Sequence, residues 1–215
     1  MIELCSQNSW YYTKTDQKTI FVISPGAGTA RNRKAYECLE NNFNVIYFAQ
    51  SGGEYDRYPL LWENNSFVEA RGKHLGGIAE LVEHKIYTEK VIPSIIIAGS
   101  RGGQVTIGKI WERIWRGPTI IINAGVLTSR TIIPDNMPIL FIIMEKDYFK
   151  SVNTPQKVQN LIKMNSKQNP ITNIIYLKEH YHMPNLNQNL VSLLTYSSLL
   201  LLNRVKKIPL DIEFI

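Results

Sequence analysis

Short apolar runs rich in β-branched residues recur along the chain, separated by longer stretches in which apolar and polar positions mix at helical spacing. Thr19–Ser24, Asn44–Ala49, Ile95-Ile96-Ile97, Thr119–Ala124, Pro138–Met144 and Asn173–Leu177 are nearly continuous in Ile, Val, Leu, Phe and Tyr. That pattern predicts strands buried on both faces rather than half-exposed ones. Helices are expected from Thr29 to about Asn41, from about Ser66 to His84 and after Ser100, where Val105, Ile107, Ile110, Trp111, Ile114 and Trp115 carry the apolar content. Gly72, Gly76 and Gly77 weaken the second of these. A further helix should follow Thr154-Pro155, with Thr as N-cap and Pro as first helical residue, and a final apolar helix should cover 187–205. Residues 1–13, with Trp10-Tyr11-Tyr12, suit an edge strand or hairpin, and 51–63 reads as a loop. Strands alternating with helices predict an α/β fold: a mostly parallel, doubly wound sheet with helices covering both faces.

At 215 residues and 44% hydrophobic content, the chain is expected to form a single domain over 1–215 with a substantial core. The apolar stretch Leu190–Leu202 is interrupted by Ser192, Thr195, Tyr196, Ser197 and Ser198 and is too short to span a bilayer. Met1–Cys5 lacks a basic segment followed by an apolar one, so no signal peptide and a cytoplasmic location are expected. In that compartment Cys5 and Cys38, far apart and without metal-like spacing, are expected as reduced thiols. The net charge of +6 raises the question of nucleic acid. Only two small basic groups exist, Arg31-Asn32-Arg33-Lys34 and Arg204-Val205-Lys206-Lys207, and neither is interleaved with aromatics for base stacking. Solvated surface is the reading they support, with no nucleic-acid partner.

The chemistry centres on residues 91–105, VIPSIIIAGSRGGQV. The strand there ends in Ala98-Gly99-Ser100-Arg101-Gly102, a small-x-Ser-x-small corner before a helix. A nucleophile elbow needs small residues two before and two after its Ser, because strand and helix pass close there. A Ser hydroxyl attacks only when a base takes its proton and a third group orients that base. Of the four histidines, His74 and His84 fall on an upstream helix, whereas His180 and His182 lie just past the last core strand. Loops at the carboxyl ends of strands converge on the site in open α/β sheets, so one of this pair is the candidate base. Met144-Glu145-Lys146-Asp147 directly follows the strand Ile139–Ile143, which puts Asp147, the candidate acid, on a loop at the same end of the sheet, with Glu145 as alternative. The turn Pro25-Gly26-Ala27-Gly28 can bring backbone N–H groups close to a ligand, and the N–H of Arg101 would be a second oxyanion donor.

The order Ser100, Asp147, His182, with a PGAG turn after an early strand, resembles the α/β-hydrolase superfamily from about Thr19 to about Leu202. Met144-Glu145-Lys146-Asp147 is similar to the family's Gly-x-x-Asp acid loop with Met144 in the Gly position, and Leu177–Met183 is similar to its strand-then-His loop, which favours His182. Ala98 replaces the first Gly of the elbow, Pro25 stands where lipase-like members often have His, and Tyr181 where a Gly often precedes the base. The resemblance implies a three-layer sandwich and a serine hydrolase acting on the ester or thioester of a small-molecule acyl substrate. Ser100 would be the nucleophile, Asp147 and His182 its acid and base, and Ala27 and Arg101 the oxyanion donors, with no metal or organic cofactor. About a dozen residues separate Ala124 from Pro138, so little or no lid is expected, and the loop 51–63 would line an open site. Gly26, Tyr55, Arg57, Tyr58 and Trp62 are the candidate substrate contacts. The reading from a different class is a catalytically silent binding protein on the same fold. A dinucleotide fingerprint at Gly26-Ala27-Gly28 fails, because Arg31 stands where the third Gly is needed and Gln50 where the next strand should end in an acid.

Overall fold

The computed structural model describes residues 18–23, 36–41, 43–50, 59–63, 66–69, 75–124, 133–134, 137–146, 154–165 and 172–181. Eight strands form one sheet: β1 (Thr19–Ile23), β2 (Asn44–Gln50), β3 (Pro59–Glu63), β4 (Ser66–Glu69), β5 (Ile95–Gly99), β6 (Thr119–Ile122), β7 (Ile139–Lys146) and β8 (Thr172–Tyr181). Their order is β4-β3-β2-β1-β5-β6-β7-β8. The six from β2 to β8 in that order are all parallel, and β3 and β4 add an antiparallel hairpin at one edge. Helix α1 (Leu75–Tyr87) lies between β4 and β5 in sequence, and α3 (Pro155–Asn165) between β7 and β8. Helix α2 runs continuously over 101–113, with Arg101–Val105 and Trp111–Arg113 in α geometry and Thr106–Ile110 in a wider π turn.

The continuous apolar runs are explained by their burial on both faces. Phe21, Ile23, Ile46, Phe48, Ile96, Ala98, Ile121, Phe141 and Ile143 pack on one side against Ile78 and Val82 of α1, Val105, Ile110 and Trp111 of α2, and Val158 and Leu161 of α3. The alternate positions, among them Ile20, Val22, Ile95, Ile97, Ile120, Ile142 and Met144, pack on the other side with Tyr36, Leu39 and Phe43 around the 3₁₀ turn Glu37–Asn41. Ile95, Ile96, Ile97 and Ala98 of β5 are wholly buried. Each such isoleucine contributes roughly 1.5–3 kcal/mol relative to an exposed one, so the strand leading into Ser100 is among the most firmly held. The expected mostly parallel, doubly wound α/β sheet with flanking helices is what the structure shows.

The elements differ from the sequence expectations in three places. The stretch 59–69 is a hairpin: Pro59 pairs with Gln50, and Glu63 pairs with Ser66 across Asn64 and Asn65. Expected as loop and then helix, it carries large apolar residues, Trp62 and Phe67 among them, on either side of a two-residue connection. Pro59 fits as the first residue of its strand, where a missing N–H costs least. Helix α1 accordingly starts at Leu75 instead of Ser66, and it continues to Tyr87. Strands β7 and β8 run on to Lys146 and Tyr181, past the apolar residues that mark them in sequence. The N-cap at Thr154 is as expected, its Oγ1 accepting a hydrogen bond from the N–H of Lys157 at 3.2 Å. Within the helix expected over 29–41, only 36–41 are among the described residues, and the segments 1–13 and 187–205 lie outside them.

The π turn of α2 buries Thr106 completely, and its Oγ1 has no hydrogen-bond partner among the described residues. A buried hydroxyl without a partner carries its desolvation penalty uncompensated. Thr106→Val keeps the shape and removes the hydroxyl, and is expected to stabilise by ~1 kcal/mol, raising Tm by about 3 °C in a thermal unfolding scan.

Candidate active site

Ser100 is the first residue past β5, which lies between β1 and β6. Its backbone adopts φ 50 and ψ −118, a left-handed corner that non-glycine residues avoid at a cost on the order of 1–3 kcal/mol. The corner is held because the Ser100 N–H donates to the carbonyl of Ile122 at 2.8 Å, extending the β5–β6 ladder one rung beyond the strand. Although Ser100 stands at the N-cap of α2, its side chain makes no capping hydrogen bond. The hydroxyl, on a half-buried residue, is thus not committed to the helix end. Arg101 opens α2 and is exposed, so its N–H belongs to the helix start rather than to the internal ladder.

Small residues let α2 leave the sheet at this angle. Gly102 and Gly103 are buried, and a Cβ added at Gly103 would come within 2.7 Å of the Ala124 Cβ and 3.0 Å of its Cα. Ala124 lies two residues past β6, so elbow helix and neighbouring strand pass in close contact there.

That neighbouring segment holds a residue to which no sequence motif points. Asn123, 2% exposed, also has a positive φ, 43, directly beside the Ser100 corner. Its N–H donates to the Ile142 carbonyl at 3.0 Å, and its Oδ1 accepts from the Met144 N–H at 2.8 Å. Met144 is itself 1% exposed and part of the core. Where the family pattern has a Gly at a turn, the strand here continues, which accounts for a large apolar residue at that position.

Parallel strands put all their carboxyl ends at one edge of the sheet, and these include the ends of β1, β5, β6, β7 and β8. Along the chain, Asp147 is the residue after the last of β7, and His182 the residue after the last of β8, while His180 lies within β8. Asp147, His182, Gly26, Ala27, Tyr55, Arg57 and Tyr58 lie outside the described residues. Between Met144↔Leu177 and Lys146↔Tyr181 the register of β7 against β8 shifts, with β8 supplying extra residues beside the position of the candidate base. Such bulges bend a strand and re-aim the residues beyond them.

Two of the remaining sequence candidates lie on described strands. Trp62 sits inside β3 opposite Tyr47, in the row of Val22 and Ile97, three residues short of Ser100 and three strands away from it. At about 3.3 Å per residue and 4.8 Å per strand its backbone is well over 10 Å from the corner. Glu145, the alternative acid, is engaged by Tyr176 across the β7–β8 pair. Partial desolvation of the phenol, then the Glu145 charge and the hydrogen bond donated to its carboxylate, raise the Tyr176 pKa above the ordinary 10.0, although the residue is largely exposed. Among the described residues, no group of three or more His, Cys, Asp or Glu is placed to hold a metal ion, and no helix is long and apolar enough to cross a membrane.

No protein-family model matches the sequence, and no curated protein is similar to it. Solved structures are similar in fold. An α/β serine hydrolase without lid from Xanthomonas campestris superposes with a TM-score of 0.56 at 13% identity, over 85% of this chain and 82% of that one. Alpha/beta hydrolase domain-containing protein 10 from mouse gives 0.59 at 13% identity, over 88% and 91%. A carboxylesterase from Bacillus cereus gives 0.54 at 10% identity, over 85% and 87%. The chain has the α/β-hydrolase fold.

Two measurements check this geometry. Gly103→Val should overpack the contact with Ala124 and cost ~2–3 kcal/mol, read as a lower urea midpoint at unchanged slope. For Tyr176, desolvation and Glu145 act in the same direction: in a spectrophotometric titration of the tyrosines, the component lost in Tyr176→Phe should ionise above the ordinary range in the wild type and at lower pH in Glu145→Gln.

Proposed function

We propose that this protein is a serine hydrolase that cleaves an ester or thioester through an acyl-enzyme on Ser100. The observation that carries the reading is the strained corner: a serine held at positive φ at the end of a central buried strand, opening a helix that it does not cap. Strain of that kind is kept where a side chain must be presented at a sharp turn. The fold, shared with hydrolases, esterases and serine hydrolases of known structure, supports it.

In this reading the Ser100 Oγ attacks the substrate carbonyl, and His182 takes its proton and returns it to the leaving group. Asp147 orients His182 and stabilises the imidazolium, and the N–H groups of Ala27 and Arg101 hold the oxyanion. Water then cleaves the acyl-enzyme by the same route. The engagement of Glu145 with Tyr176 favours Asp147 as the acid. Gly26, Tyr55 and Arg57 are the proposed substrate contacts. The burial of Ile133 and Met137 in the core between β6 and β7 supports a site with little lid, because part of that short connection is packed against the sheet.

Labelling with a fluorophosphonate probe tests the reading against the silent binding protein. Wild-type protein should be labelled and Ser100→Ala should not; folded wild type that takes no label would overturn the enzyme reading. Asp147→Asn and His182→Ala should each slow ester turnover by roughly 10²–10⁴, while Glu145→Gln and His180→Ala stay near wild type. Full activity in His182→Ala would move the base to His180.

A further inference from the structure

We infer that Asn123 is a positioning residue for the acid, acting through its side-chain amide to join the Ser100 corner to the strand that ends at Asp147. This rests on the hydrolase reading above and adds to it a residue outside the triad and the oxyanion hole. Gly99, Ile122 and Ile142 are register partners in one row across β5, β6 and β7. Past that row the ladder goes on through the two left-handed corners. The Ser100 N–H reaches the Ile122 carbonyl at 2.8 Å and the Asn123 N–H reaches the Ile142 carbonyl at 3.0 Å.

Asn123 is the first residue past β6, and its positive φ carries the chain out of strand geometry there. The Oδ1 replaces the next rung: it accepts the Met144 N–H at 2.8 Å, three residues before Asp147. One side chain therefore completes a continuous hydrogen-bonded path from the nucleophile's own peptide to the strand end that delivers the acid. Asparagine suits both demands. Its short amide tolerates positive φ, here 43, and its carbonyl mimics a backbone acceptor. At 2% exposure water does not compete for that acceptor, and deleting it leaves a buried N–H without its partner. Dislodging the end of β7 displaces the carboxylate that orients the base, and a misplacement of about 1 Å in such a constellation costs up to ~100-fold in rate.

The test measures the rate of fluorophosphonate labelling against pH in the full chain. Asn123→Gly keeps the positive φ at no cost and removes Oδ1, and Asn123→Asp keeps an oxygen acceptor. The glycine variant should label about tenfold slower. The midpoint of its acid limb should also move to lower pH, because a histidine that loses its carboxylate neighbour holds its proton less firmly. Asn123→Asp should recover most of both. In an Asp147→Asn background the glycine change should add less than about a twofold loss, since both changes remove one function. An unchanged midpoint, or the full tenfold loss repeated in that background, would overturn the assignment. If the glycine variant does not fold, Asn123→Ser takes its place in the same cycle. The two readings fail separately: no label on the wild type, or equal label on Ser100→Ala, removes the hydrolase and Asn123 with it, whereas Ser100-dependent labelling with additive losses removes Asn123 alone.

Discussion

The hydrogen bond from the Ser100 N–H to the Ile122 carbonyl is the interaction on which the proposed site depends. A serine at positive φ would relax toward a permitted conformation if either side of its turn were free. On one side β5 is clamped by its wholly buried residues, and on the other α2 begins at once, with Gly102 and Gly103 against the sheet. The bond to Ile122 closes the remaining freedom. Local strain persists here because the surrounding structure over-determines it.

The same logic extends sideways. Strands β5, β6 and β7 are locked to one another in one register, and both faces of the sheet are filled with tightly packed side chains. A close-packed core transmits displacement instead of absorbing it. The relative placement of the corner, of Asn123 and of the end of β7 is therefore a property of the sheet and not of any loop. At the edge, the shifted register of β8 against β7 is where the regular lattice gives way.

Much of this was legible in the sequence, for identifiable reasons. The runs at Ile20–Ile23, Ile95–Ile97 and Thr119–Ile122 read as buried strands because nothing but double-sided burial asks for so many consecutive β-branched residues. The elbow was legible because its requirement is local: small residues around one serine. The hairpin at 59–69 was not, because Trp62, Glu63 and the two asparagines imitate a loop when only their polarity is read. The ends of β7 and β8 were missed for a related reason, since Glu145, Lys146, Lys178 and Glu179 are charged and break the apolar pattern by which a buried strand is read. Asn123 was invisible in principle. Its partner lies 21 positions away along the chain, and a bond from one amide to one distant peptide leaves no periodic trace.

The backbone angle at Ser100 also bears on how such a chain ages over generations. Glycine meets that angle without penalty, so exchanging Ser100 for glycine releases strain and makes the molecule more stable. Most substitutions move a protein toward lower stability, and a chain under mutational pressure keeps the rare changes that move the other way. In a lineage that had ceased to use the hydroxyl, this position would be among the first to drift, and the drift would run downhill. A serine still standing there is the costlier occupant of its own corner.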